Sequence, residues 1–323
     1  MILLQDSLTI KVGGVSIYHT GSLYEDYHIP AKIASGEVVP LPKLVFDPDA
    51  AVGLDGIPSM RRDNTPRPTS HGVFSENGFT EGRIISLSGH AIAENPIQLQ
   101  ALRDTLASRL NTGRLINIEI LRSDPSLYRT TQGYLEGNLD WTRVLDNYAQ
   151  WKFDILCPDP RMYGREKMIE VRTSDTSIEA GLGYNIAYPL TYARKNVPVR
   201  SSTLTNAGNS PAYLRFEVPG PHEGFVIKDN SARVKQIRYS AAEPASGKLI
   251  IDTYKGVVTA PNVSNSDKSF LLTQRDWMTI PAKTGSALGS LNVYIDYVNS
   301  PTSASARVED SLVMRVYFRD TWI

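Results

Sequence analysis

Apolar and polar residues alternate with a period of two in one short run after another along this chain, and that pattern does most to fix its fold class. Leu8 to Tyr18 reads L-T-I-K-V-G-G-V-S-I-Y, two short strands about a Gly13-Gly14 turn. Between Arg83 and His90, Ile85, Leu87 and Gly89 alternate with polar neighbours, and Leu115–Leu121 and Trp151–Cys157 follow the same rule. Similar runs occur at Met168–Arg172, Ala212–Val218, Val234–Tyr239, Lys248–Thr253, Leu291–Tyr297 and Leu312–Arg319, with turn-rich stretches between them. Strands at that spacing predict a mainly β protein built as a sandwich or barrel.

One segment breaks the period. Asn95 is a good N-cap, Pro96 suits the first helical position, and Gln98 stands where a capping box wants Glu or Gln. Leu99, Leu102, Leu106 and Leu110 then recur at helical spacing, with Gly113 as a stop. The spacing predicts one helix at about 96–111, with its leucine stripe buried against a sheet.

Two stretches interrupt the strand series. From Val45 to Thr80 the chain carries Pro48, Pro58, Pro66, Pro68 and glycines 53, 56, 72 and 78, with no sustained periodicity. This predicts a long irregular arm without helix or central strand, whose backbone groups need partners elsewhere or water. The second break, Cys157-Pro158-Asp159-Pro160-Arg161-Met162-Tyr163-Gly164, is read as a domain boundary. It divides the chain into residues 1–160, holding the arm and the helix, and residues 161–323.

A chain of 323 residues with 41% hydrophobic and 21% charged residues has material for two ordinary domains and is not globally disordered. Its 34 basic residues balance 34 acidic ones, and only the stretch around Arg61, Arg62 and Arg67 is locally basic. That disfavours nucleic acid as a primary partner. The single cysteine, Cys157, allows no internal disulfide and ends an apolar run, as a buried inert thiol does. The first residues lack the pattern of a signal peptide, and no apolar run reaches the roughly 20 residues needed to cross a bilayer. Folding in a bacterial or similar cytoplasm, without a membrane, is the expectation.

Catalytic and ligand-binding patterns are weak throughout. His19, His28, His71, His90 and His222 form no metal-binding pair, and no G-x-S-x-G elbow accompanies them. The glycines in Glu179–Tyr184 neither follow a clear strand nor open a helix, so a dinucleotide reading fails on context. Asp47, Asp49 and Asp55 lack the ligand ladder of a calcium loop. No catalytic residue, cofactor site or metal site is assigned, and the expectation is a protein that is not an enzyme. Trp277, in Gln274–Ile280, is the candidate platform for stacking a sugar, a reading that is disfavoured for it as for Trp141, Trp151 and Trp322, because a strand-borne Trp more often fills a core.

Two sets of motifs carry a resemblance. Gly53-Leu54-Asp55-Gly56-Ile57-Pro58-Ser59-Met60-Arg61-Arg62-Asp63, then Arg67-Pro68, His71-Gly72 and Gly82-Arg83, are similar to a segment of siphophage distal tail proteins. In that family an aspartate–glycine turn and an arginine-bearing strand precede a glycine-rich arm. Cys157–Gly164 resembles the D-P-x-x-Y-G turn that closes the family's first domain. In the tail half, Asn206-Ala207-Gly208-Asn209-Ser210-Pro211-Ala212, Pro219-Gly220, Leu249–Thr253, Trp277–Pro281 and the aromatic strand Val316–Trp322 follow the order of its second domain. Pro281-Ala282-Lys283-Thr284-Gly285 departs from the family's P-G-x-N-x-hydrophobic run. The likeness spans nearly the whole chain and rests on the shared order of the motifs.

The resemblance implies an N-terminal β-rich belt domain with one packed helix, followed by a C-terminal galectin-like β-sandwich. It implies a structural ring, commonly a homohexamer, at the distal end of a virion's tail, assembled in the host cytoplasm. Such a ring joins the tail tube protein to a tail-associated tip protein or a receptor-binding protein. DNA passes through it without specific binding. Arg61, Arg62 and Arg67 are the candidate contacts between subunits, since planar guanidinium donors suit such interfaces. The alternative reading is a carbohydrate-binding module that attaches the tail tip to host wall polysaccharide, with Trp277 as its platform. Galectin-type outlines do not by themselves confer sugar binding, and none is expected of the second domain.

Overall fold

The computed structural model describes residues 8–19, 41–75, 77–173, 201–229, 234–244, 246–261, 267–298 and 312–323. His28 and the glycines of Glu179–Tyr184 lie outside the described residues. The chain forms two compact units, one of residues 1–165 with 322–323 and one of residues 166–321.

The first unit contains β1 (Thr9–Val12), β2 (Val15–His19), β3 (Lys43–Val52), β4 (Met60–Arg61), β5 (Asn64–Pro66), β6 (Val73–Ser75) and β7 (Phe79–Thr80). After these come β8 (Arg83–Ile92), the helix α1 (Pro96–Leu110), β9 (Ile116–Leu121), β10 (Arg129–Leu145) and β11 (Tyr148–Cys157). Seven strands run in the order β11-β8-β3-β2-β1-β9-β10, and β10 pairs back onto β11, so the sheet closes into a barrel. Only β2 and β3 pair in parallel within it. Alternation along each strand sends Ile85, Leu87 and Ala91 of β8 and Trp151, Phe153 and Ile155 of β11 inward to one shared core.

The helix forms where the leucine spacing places it. Asn95 accepts from the Gln98 N–H at 2.9 Å, and Pro96 opens the first turn. The Gln98 side chain accepts from the N–H of Glu94, one residue before the cap. Leu99, Leu106 and Leu110 are buried in the barrel core, whereas Leu102, expected to share that burial, is only partly covered. The helix touches β2, β8 and β10, which are spread around the ring. A single helix can reach all three from an open end, so α1 acts as a plug.

The irregular arm expected from Val45 to Thr80 divides into two structures. Its first part belongs to β3, a ten-residue strand between β2 and β8. Pro48 does not prevent this because the β3–β8 register shifts between Phe46 and Ala51, a bulge of the kind that admits a missing N–H. The second part is an interrupted hairpin, β4 against β7 and, farther out, β5 against β6.

The break at 157–164 is also shorter than the sequence suggests. A strand β12 (Met162–Arg172) begins inside it, pairing Tyr163 with Thr130 of β10, and the division between units falls after Arg165.

The second unit adds β13 (Ser201–Asn206), β14 (Ala212–Pro219), β15 (Phe225–Asp229), β16 (Gln236–Tyr239) and β17 (Lys248–Asp252). They are followed by β18 (Val257–Thr259), β19 (Leu272–Arg275), β20 (Thr279–Ile280), β21 (Gly289–Tyr297) and β22 (Val313–Trp322). One sheet runs β13-β21-β15-β16-β19, and the other runs β12-β22-β14-β17-β18, with β20 on β14. Leu204, Phe225, Ile227 and Val293 of the first sheet share a core with Leu214, Phe216, Ile251 and Val316 of the second. Two antiparallel sheets over one core make a sandwich.

Candidate assembly interface

The hairpin β4–β7 stands away from the barrel. Every residue from Ser59 to Phe74 is exposed, including Arg61, Arg62 and Arg67. Met60 and Phe79 are 53% and 66% exposed, and Ile57, Val73 and Phe74 are also open to solvent. The guanidinium of Arg67 lies 5.2 Å from the centre of the Phe74 ring, and Arg61 pairs with Phe79 across the strands. A lone two-stranded hairpin is marginal in water, and large apolar side chains along its length mark it as a surface for something else to cover.

Its base is held by a buried cation. Arg83, 4% exposed at the start of β8, donates through one terminal nitrogen to the carbonyls of Gly53 and Gly56, each at 2.7 Å. Its Nε donates to the carbonyl of Pro160 at 2.9 Å. Gly53 has φ +88°, and a Cβ there would meet the Ile84 carbonyl oxygen at 2.0 Å, so only glycine fits where the arm leaves the barrel. Arg122 makes a two-point bond to Asp55 at 2.6 and 2.8 Å, and Ser59 donates to Glu81 at 2.5 Å. The arm therefore projects from a fixed root.

The turn after β11 is built around Asp159. Its carboxylate accepts from Arg161 at 2.7 and 2.9 Å and from the Tyr163 hydroxyl at 2.5 Å. Arg83 brings this turn to the arm, joining two motifs that are far apart in the sequence. Sequence reading singled out the arm's exposed arginines and missed the buried one. The available signal was Gly82-Arg83 at the head of an apolar alternating strand, where a charge has no place unless carbonyls receive it.

In the second unit the N-A-G-N-S-P motif has a similar hub. Asn206 is fully buried and donates to the carbonyls of Ser210 at 2.7 Å and Pro281 at 3.1 Å. Its side-chain oxygen accepts from the N–H of Gly208 at 2.9 Å and of Thr321 at 3.2 Å. A Cβ on Gly208 would sit 1.8 Å from the Thr321 oxygen. The motif residues and Pro281 thus meet at one amide.

The histidines, the cysteine and Trp277 lie in separate places among the described residues. No group of three or more His, Cys, Asp or Glu is placed to hold a metal ion there. Cys157 is buried, and burial pushes its thiol up to about 11. His90 shares a 2.6 Å hydrogen bond with the Tyr148 hydroxyl. His222 is buried beside the rings of Phe225 and Tyr239, accepts from the Gly224 N–H, and is held below its usual range by burial, against the pull of Glu243. Trp277 is half-buried against the core, with its indole 3.4 Å from where a Cβ on Gly256 would stand. No helix is long and apolar enough to cross a membrane among the described residues.

No protein-family model matches the sequence, and no curated protein matches it at a significant level. The structure is similar to the crystal structure of the SPP1 Dit protein, described as a paradigm of the hub adsorption apparatus in phages infecting Gram-positive bacteria. The two share 12% identity at a TM-score of 0.57, over 98% of this chain and 99% of that one. The described fold is therefore of the same kind as that of the SPP1 Dit protein. Chains of the phage P2 baseplate in its activated conformation, with calcium or with strontium, align at 8% identity over 92% and 91% of this chain. They cover 100% and 98% of those chains, at TM-scores of 0.45 and 0.46, too distant to carry a conclusion.

Proposed function

We propose that the protein is a distal tail protein of a long-tailed bacteriophage, a structural subunit of the ring that joins the tail tube to the baseplate or receptor-binding apparatus. The observation that carries this reading is a fold shared along almost the whole of both chains with the SPP1 Dit protein. In this reading the first unit is the ring-forming belt, and the sandwich is a galectin-like domain. The ring is a homohexamer set between the tail tube protein and a tip or receptor-binding protein. It is assembled in the host cytoplasm, ends in the virion, and lets DNA pass without gripping it.

The arm supports the ring. A closed ring is heterologous, with each subunit presenting two different and complementary faces. A rooted hairpin carrying Arg61, Arg62 and Arg67 among exposed apolar side chains is suited to be one of them. Attachment of the tip to wall polysaccharide through Trp277 is not favoured, because its ring lies against the Gly256 turn and the core.

Light scattering on the purified chain, with negative-stain imaging of the same sample, tests the proposal. A single species of about six subunits with a central opening is expected. A monomer at all concentrations, or one that binds wall polysaccharide saturably and loses that binding on Trp277→Ala, would overturn it.

A further inference from the structure

The ring reading leaves open where the arm lands, and the outer face of the barrel contains a surface that matches it. Interior residues of β8, β11 and β10 alternate with outward ones, and the strand registers align the outward ones in rows. Tyr134 pairs with Leu156 and Leu156 with Ile84, giving one apolar row across three strands. Ile84 is 53% exposed, Tyr134 is exposed, and Val52, also exposed, lies beside Ser86 on the adjoining β3. Two residues along, roughly 7 Å away at strand spacing, Glu136 pairs with Asp154 and Asp154 with Ser86. The next row brings Asp140 opposite Lys152. Three carboxylates therefore face one ammonium beside an apolar row.

The arm carries the complement of this pattern. Phe79 stands opposite Arg61 and Phe74 lies under Arg67, so apolar rings alternate with guanidinium groups. Across residues 57–80 three arginines stand against Asp63 and Glu76. From Ser59 to Arg67 the hairpin spans roughly 25 Å, and the exposure of every residue from Ser59 to Phe74 means its own barrel does not cover it.

We infer that the arm of one copy seats on the outer face of β8, β11 and β10 of the next copy. Its aromatic side chains lie on the Tyr134–Leu156–Ile84 row, and its arginines reach Glu136, Asp140 and Asp154. This rests on the ring reading and names its two faces. The pairing is heterologous, since the arm and the receiving rows are different surfaces of one chain, as closure into a ring requires. Charge pairs of this kind at the rim of an apolar contact fix register more than affinity, and salt weakens them.

A charge exchange in the full-length chain tests it, with mass read by light scattering and fold checked by circular dichroism. Arg61→Glu with Arg62→Glu should lower the mass to that of a monomer at a concentration where the parent protein is a ring, with the β signal retained. Glu136→Lys with Asp140→Lys, both at exposed positions, should do the same. All four changes together should restore at least part of the ring. A parent ring that withstands both double variants, or a quadruple variant no more assembled than the doubles, overturns this contact and leaves the ring reading standing. A monomeric parent chain overturns both.

Discussion

The Nε of Arg83 donates to the carbonyl of Pro160 across 2.9 Å and 77 residues of sequence. Through that bond and those to Gly53 and Gly56, one buried cation ties the root of the arm to the turn that follows the last barrel strand. Burial lowers the pKa of this guanidinium without discharging it, because an arginine starts so high. The three carbonyls replace the water it gave up. Arg83→Ala would leave them unpaired, and an unpaired buried group costs about 1–3 kcal/mol. A loss on the order of 3 kcal/mol is therefore expected, read from chemical denaturation, with faster tryptic cleavage at Arg61 and Arg62. Arg83→Lys should not restore the parent value, since one ammonium cannot span donors set at the edges of a planar fork.

The α1 leucines should separate by burial. Leu106→Ala removes a fully buried side chain and should cost on the order of 2–5 kcal/mol. Leu102, only partly covered, should cost distinctly less on the same change. Equal losses in denaturant titrations would mean that Leu102 is as well packed as its neighbour.

Acid should weaken the second unit through His222. Its folded pKa lies below the ordinary histidine value of about 6.5 because burial opposes the charged ring. The unfolded chain then takes up a proton first as pH falls, so this contribution is present above about pH 6.5 and lost below it. Among the groups facing the imidazole, Glu243 pulls the other way; it accepts from Tyr239 at 2.6 Å and lies 3.8 Å from the Lys268 ammonium. Melting temperature should fall between pH 8 and pH 5, and His222→Gln should flatten that fall. An unchanged slope in the variant would remove His222 as the cause.

Cys157 should be silent in the folded protein. With its thiol pushed up to about 11 and its side chain buried, almost none is thiolate at pH 8, and reagent cannot reach it. A maleimide should label one thiol per chain in denaturant and close to none without it.

The helix and most strands were legible because their signals are local. Asn95, Pro96 and the leucine spacing act within four residues of one another, and alternation from Ile85 to Ala91 reports burial on one side of a strand. β3 was hidden by Pro48 and by two aspartates that break alternation at the bulge. β10 was hidden for a different reason. Seventeen residues long, it alternates cleanly only near its start and then runs exposed through Gly137 and Asn138. The roles of Arg83 and Asn206 were not legible, since each bonds carbonyls that the fold brings together from far along the chain. The exposed arginines of the arm are visible in the sequence, but the face proposed to receive them is not, because its rows exist only once β8, β11 and β10 are in register.

Closure of the first sheet on itself, with β10 returning to β11, bears on how copies of this chain can meet. A sheet with an open side would invite strand after strand into runaway fibres. Here each of the seven barrel strands pairs on both sides, and the strands of the arm hairpin are only two or three residues long, with Pro66 in one of them. In the proposed ring, contacts between copies would then run through side chains, which fit in one register and stop when the circle is full.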